Sequence, residues 1–241
     1  VNGALVTPTL EAQNTALRVP LPNPLAPASS INLSLDYSVA IPRGSPKHYG
    51  DFGADASITT LPSVYPLIPA YDAKGWHLEV APPYGDLVYS DTAFYAVTVT
   101  VPSTMTVIAS GSTVGTTTNS NGTTTWRIVG APMRDFDLNM TSHLQKASAA
   151  VGDTTINSYY EPADADAGKR ALEIAVNAFK TFQARVGAYP YRELDVVETP
   201  TTAGGIEYPG LVVIGRELYR DRDYREELEF VIAHEVAHQW F

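Results

Sequence analysis

Phe230-Val231-Ile232-Ala233-His234-Glu235-Val236-Ala237-His238-Gln239-Trp240-Phe241 is the most informative run of this 241-residue sequence. Its apolar residues recur at helical spacing, and the flanks are apolar enough to make the segment a buried helix. His234 and His238, four residues apart, lie on one face one turn apart, so both imidazoles can reach a single ion. Glu235 sits about 100° round the helix from His234 and can address a ligand of that ion without binding it. The spacing suits a zinc hydrolase, in which two nitrogens hold Zn²⁺ and the carboxylate takes a proton from metal-activated water. The bland alternative is an amphipathic helix with an incidental His pair, but two His and a Glu are expensive to bury without a purpose. A catalytic zinc normally has three protein ligands, and no third is evident. His48, His77 and His143 fall in a β-rich part and read as surface or structural histidines.

Working upstream, Asp223 and Glu226 make a capping-box-like start to this last helix, which the pattern carries to the chain end. Leu211-Val212-Val213-Ile214 and Leu194-Asp195-Val196-Val197-Glu198 are short strand candidates. Residues 199–210 between them, with Gly204-Gly205 and two prolines, predict a loop or an irregular edge. Before these, Asp164 can cap a helix in which Ala171, Leu172, Ala175, Ala178, Phe179, Phe182 and Val186 recur every three or four residues, with Gly187 as its stop.

The earlier part reads as β. Residues 31–39 alternate apolar and polar as a half-buried strand requires. Tyr95, Val97, Val99 and Val101 repeat the pattern, with Pro102 closing the strand. Asn121-Gly122 is a hairpin turn signal, Gly accepting positive φ. The proline-rich stretches 20–27 and 62–69 read as edges or connections. Residues 1–150 carry 17 charged side chains and residues 151–241 carry 25, so composition and pattern change together. The expected division is 1–160, an all-β domain, followed by 161–241, a mixed one.

Composition excludes several classes. Lys plus Arg number 16 against 26 for Asp plus Glu, a net charge of −10; phosphate-backbone binding needs a basic face, so no nucleic-acid partner is expected. Cysteine is absent, which removes thiolate metal sites and cysteine nucleophiles and leaves any metal to His, Asp or Glu. No apolar run reaches the length of a membrane span. The absent Cys, the five lysines and the Thr/Ser-rich strands suit an extracytoplasmic or envelope protein over a cytoplasmic one.

The sequence resembles the aminopeptidase N family of zinc metallopeptidases, gluzincins with a His-Glu-x-x-His helix. Upstream of that helix, Gly204-Gly205-Ile206-Glu207-Tyr208-Pro209-Gly210 is similar to the family's Gly-x-Met-Glu-Asn exopeptidase loop, with Ile206 for Met and Tyr208 for Asn. Gly187-Ala188-Tyr189-Pro190-Tyr191 and Leu194-Asp195-Val196-Val197 resemble the strand entering the catalytic domain. Residues 94–111 resemble the family's N-terminal β-saddle strands. The implied fold is a β-saddle or sandwich domain over 1–160 and the first part of a thermolysin-like α+β domain over 161–241.

The resemblance implies zinc ligands at His234 and His238, a general base at Glu235, a carboxylate at Glu207 for the substrate's free α-ammonium, and backbone binding of the peptide at Gly204 and Gly205. The implied activity is release of N-terminal residues from peptides, with one zinc ion as cofactor. The family takes its third zinc ligand and a transition-state Tyr from further along, beyond Phe241, so the resemblance implies an incomplete, inactive piece of a longer protein. Tyr208 in place of Asn suggests a bacterial branch. Leu61-Pro62-Ser63-Val64-Tyr65-Pro66 stands where many members carry an Arg- and Phe-Pro-Cys-containing stretch, so side-chain preference does not transfer. A non-catalytic β-rich envelope or interaction module is the rival reading; a zinc endopeptidase with the same helix would not need Glu207. Apolar surface around Leu228, Val231 and Trp240 makes self-association an expectation as well.

Overall fold

The computed structural model describes residues 1–46, 50–80, 89–221, 223 and 225–241; His48 lies outside the described residues. The molecule is β-rich with a few helices. β1 (Thr9–Glu11) and β2 (Ala16–Arg18) form a small hairpin near the start. β3 (Gly53–Ala54), β4 (Ile58–Pro62), β11 (Asp137–Thr141) and β8 (Thr106–Ala109) make a four-stranded sheet in that order, separated in sequence by the β5 (Tyr71–Asp72) and β6 (Gly75–Trp76) pair. β7 (Ala93–Pro102), β10 (Thr123–Met133) and β9 (Ser112–Thr118) form a three-stranded sheet.

β7 ends at Pro102, and Tyr95, Val97, Val99 and Val101 lie on its less exposed face, as their alternation requires. The Asn121-Gly122 turn joins β9 to β10 with Gly122 at φ +79°. The alternation at 31–39 forms no strand; those residues adopt no regular secondary structure and, after Ile31, are exposed. Tyr37 is tied down through its hydroxyl, which donates to the Val64 carbonyl at 3.0 Å. A period-two pattern becomes a strand only where a neighbour satisfies its backbone groups.

The layer that carries the candidate site is a five-stranded mixed sheet, ordered β12 (Gln145–Val151), β13 (Thr154–Tyr160), β14 (Glu193–Thr199), β16 (Leu211–Gly215), β15 (Gly205–Tyr208). β13, β14 and β16 run parallel, and the outer strands are antiparallel to their neighbours. The sheet therefore extends across residue 160. α1 (Ala165–Arg185) supplies the crossover from β13 to β14, and α2 (Arg216–Arg220) and α3 (Arg225–Ala237) follow β16. Among the described residues no helix is long and apolar enough to cross a membrane.

The two faces of this sheet bury different partners. Ile156, Leu194, Val196, Val212 and Ile214 pack with Ala171, Ala175 and Phe179 of α1 and with Leu228, Ile232 and Val236 of α3. On the other face Tyr159, Val197, Leu211, Val213 and Tyr208 pack against Ile58 and Ile108 of the β layer. Asp164 stands at the N-cap of α1 but makes no side-chain cap bond; its carboxylate takes Arg220 Nε at 3.1 Å instead. The last helix starts at Arg225, two residues after Asp223, and its regular turns end at Ala237. Leu228 is buried, and Val231 and Trp240 pack against the same core. Of the three residues where apolar surface is expected, Leu228 is thus taken up by the protein's own core, while Val231 and Trp240 are only partly buried.

Polar groups join the layers as well. Arg216, 12% exposed, reaches Asp55 Oδ2 at 2.5 Å, Glu161 Oε1 at 3.1 Å and Glu198 Oε1 at 3.3 Å. Ser57 donates to Glu161, and His143 Nε2 lies 3.1 Å from the same carboxylate.

Two other buried carboxyls form no ion pair of this kind among the described residues. Asp195 accepts from Asn157 Nδ2 at 2.8 Å, and burial, with the Glu193 charge beside it, pushes it up to about 8. Burial pushes Asp137 up to about 7. Both keep a proton in the folded protein at a pH where the unfolded chain, with an ordinary value of 3.8, has lost it. The folded state then binds more protons, so these groups lower stability progressively as pH rises from about 4 to about 8. Asp195→Asn should raise the melting temperature at pH 8 by about 2–4 °C and leave it unchanged at pH 4. An equal shift at both pH values in a thermal melt would show that the carboxyl does not titrate in this window.

Candidate functional site

α3 faces the sheet with Leu228, Ile232, Glu235 and Val236, the i, i+4, i+7, i+8 set of a one-sided helix. His234 and His238 lie at the margin of that face, the first exposed and the second half-buried. Their Nε2 atoms are 3.1 Å apart and their rings nearly perpendicular, at 85°. Zn–N bonds of about 2.05 Å at a tetrahedral angle separate two nitrogens by about 3.3 Å. The pair therefore suits one ion with little rearrangement. Phe230 stacks on His234 with centroids 5.9 Å apart, limiting the rotamers of that ring.

β15 brings up the second half of the site. Its register pairs Gly205 with Ile214 and Glu207 with Val212, residues that belong to the helix-side core. Gly205 and Glu207 accordingly face α3, while Ile206 and Tyr208 turn toward the β layer. One ligand atom each of Glu207, Glu235 and His238 lie within 4.8 Å of one another. Glu235 is only 5% exposed. The backbone at Gly205 passes so close to it that a Cβ there would stand 2.5 Å from both Cγ and Oε1 of Glu235.

Of the residues expected from the sequence, His234, His238, Glu235, Glu207 and Gly205 come together. Gly204 stands beside them: a Cβ there would meet Val231 Cγ2 at 3.6 Å, an ordinary contact, and its carbonyl accepts from Gly215 N–H at 2.9 Å. His77 pairs with Asp72 at 3.0 Å and His143 with Glu161 at 3.1 Å, so both histidines are engaged elsewhere.

Two residues next to the motif make contacts that the sequence reading did not assign. Gln239 reaches the β15–β16 turn, accepting from Gly210 N–H at 2.9 Å and donating to the Tyr208 carbonyl at 3.1 Å. Trp240 donates from Nε1 to the Gly187 carbonyl at 2.9 Å and packs on Phe179, Phe182 and Tyr189. The one available signal for Gln239 was a lone uncharged amide between His238 and two aromatic residues.

Comparison with known proteins agrees in direction. The chain is 32% identical over 96 residues to aminopeptidase M1-B of Oryza sativa subsp. japonica, covering 36% of this chain and 11% of that protein. It is 31% identical over 96 residues to aminopeptidase M1-A of the same plant and 30% identical over 94 residues to aminopeptidase M1 of Arabidopsis thaliana. The matched stretch is 11% of the length of each of these relatives. No protein-family model matches the chain.

The glycine pair separates cleanly by substitution. Gly205→Ala should cost at least about 2 kcal/mol of stability, because the new methyl must displace the Glu235 side chain or the strand. Gly204→Ala should stay within about 0.5 kcal/mol. Urea denaturation of the two variants reads the difference, and similar costs would contradict the close approach at Gly205.

Proposed function

We propose that this chain carries the zinc-binding helix and the amine-recognising strand of an aminopeptidase N-like zinc metallopeptidase, a β-rich N-terminal domain followed by the start of a thermolysin-like catalytic domain, with the five-stranded sheet that begins at Gln145 belonging to the second, so that the division falls before residue 160. The observation that supports this best is the meeting of His238 with the Glu207 and Glu235 carboxylates at one end of the sheet, with His234 Nε2 3.1 Å from His238 Nε2. The similarity to plant aminopeptidases points the same way.

In this reading His234 and His238 hold one zinc ion through Nε2. Zinc, when bound, supplies Lewis acidity at a carbonyl oxygen and makes water easier to deprotonate. Glu235 is the proton acceptor. Its burial beneath β15 limits its contact with bulk water, and the neighbouring Gly205 backbone fixes its position.

Glu207 receives the α-ammonium of a peptide substrate. A carboxylate on the helix side of an edge strand attracts an N-terminal amine by a charge-assisted hydrogen bond and sets the scissile bond one residue in. Gly204 and Gly205 let the peptide backbone approach closely. With two protein ligands of the usual three supplied by this helix, zinc binding by these 241 residues should be weak and turnover low.

Zinc titration by calorimetry tests the metal site directly. One zinc per chain is expected, with affinity reduced at least about tenfold by His234→Ala or His238→Ala and changed little by Glu235→Gln. No binding, or binding that survives both histidine substitutions, overturns the reading. Glu207→Gln should leave zinc affinity intact while abolishing preference for a free over an acetylated amine.

A further inference from the structure

We propose that Gln239 is a positioning residue, clamping the β15–β16 turn to the zinc helix so that Glu207 is held at the distance from His238 and Glu235 that amine recognition needs; this rests on the reading of Glu207 given above. Glu207 lies on an edge strand, whose single neighbour within the sheet is β16. Nothing in the sheet itself prevents such a strand from swinging away from the helix. Two contacts to α3 and its extension stand on either side of Glu207. One is the approach of Gly205 to Glu235; the other is the Gln239 carboxamide on Tyr208 and Gly210.

The turn needs such help. β15 and β16 are joined through Pro209-Gly210, with Tyr208 opposite Leu211 and Gly210 at φ +78°. Pro followed by Gly at positive φ is the signature of a type II turn, whose twist splays hairpin strands where type I′ or II′ turns would match them. Asp195 N–H holds the Gly210 carbonyl at 3.0 Å from the sheet side. Gln239 takes the Gly210 N–H and the Tyr208 carbonyl from the helix side. One partner is a donor and the other an acceptor, so the orientation of the carboxamide is fixed and only an amide satisfies both.

The clamp also couples the two halves of the site. Gln239 follows His238 directly, and its own N–H donates to the Val236 carbonyl at 3.2 Å. The residue that grips the strand is therefore anchored in the last turn of the segment that carries the imidazoles. A shift of the strand is resisted at the metal-binding residue's nearest neighbour.

Two variants test this in the full 241-residue chain. Gln239→Ala removes both bonds. Gln239→Glu keeps the shape and the acceptor toward Gly210, but sets an oxygen against the Tyr208 carbonyl. Hydrogen exchange without metal should rise at least about tenfold across 205–210 in both variants and stay unchanged across β13 (Thr154–Tyr160), which does not pair with β15. In the zinc-loaded chain, binding of L-leucinamide should weaken about tenfold while zinc affinity stays within about twofold. N-acetyl-L-leucinamide, which lacks the ammonium, should bind all three forms equally weakly. Unchanged exchange overturns the clamp. Zinc and leucinamide affinities falling together would mark a loss of fold and overturn the positioning role. A wild-type chain that binds neither zinc nor leucinamide overturns the amine-anchor reading and the positioning role with it, while the exchange result still decides whether Gln239 holds the turn.

Discussion

Side-chain alternation on one short edge strand decides what the site contains. β15 is four residues long, and its register on β16 sends Gly205 and Glu207 to the helix side and Ile206 and Tyr208 to the β layer. A slip of one residue would exchange the two sets, burying a carboxylate in apolar surroundings and placing Ile206 and Tyr208 beside the histidines. The apolar side enforces the choice. Tyr208 is 7% exposed and packs with Leu211, Val213, Ile58 and Ile108, burial that is worth roughly 1.5–3 kcal/mol for a large side chain. The chemistry on one face is thus held in register by packing on the other.

That packing depends on the β layer staying where it is, and the Arg216 cluster bears on this. Arg216 opens α2 directly after β16, so its contacts to Asp55, Glu161 and Glu198 fix the exit of the strand that supports β15. Removing Arg216 would leave Asp55 and Glu161 without their shared cation, which costs more than the loss of an exposed pair. Apolar contacts set how closely the layers approach, and the charged groups set their lateral alignment.

Much of this was legible in the residues. The i, i+4 histidines, the α1 stripe around Ala171, Ala175 and Phe179, and the β7 alternation all report one-sided burial, which periodicity encodes directly. The 31–39 segment misled because alternation records a potential strand face without a partner to complete it. Asp164 stood at the right place for a cap, yet its charge was taken by Arg220, a residue distant in sequence. Glu207 was legible through its resemblance to a known loop, and its placement follows only from the pairing with β16. Gln239 was legible only as a lone amide beside the motif, because its partners are backbone groups, which leave no trace in residue identity.

The electrostatics of the cluster bear on its proposed use. The Glu207 and Glu235 carboxylates lie within 4.8 Å of each other. A fold that brings them together gains when a cation enters, and the surroundings divide two cations between two seats. The imidazole pair offers nitrogen ligands at a spacing that suits a zinc ion. Glu207, half-buried at the strand edge, offers a carboxylate oxygen open to a ligand arriving from solvent, where an ammonium group can make a charge-assisted hydrogen bond. Glu235, buried between them, faces both seats, so its carboxylate is stabilised when they are filled. In the proposed reading, the group that takes the proton is therefore fully supported only when metal and substrate are both present.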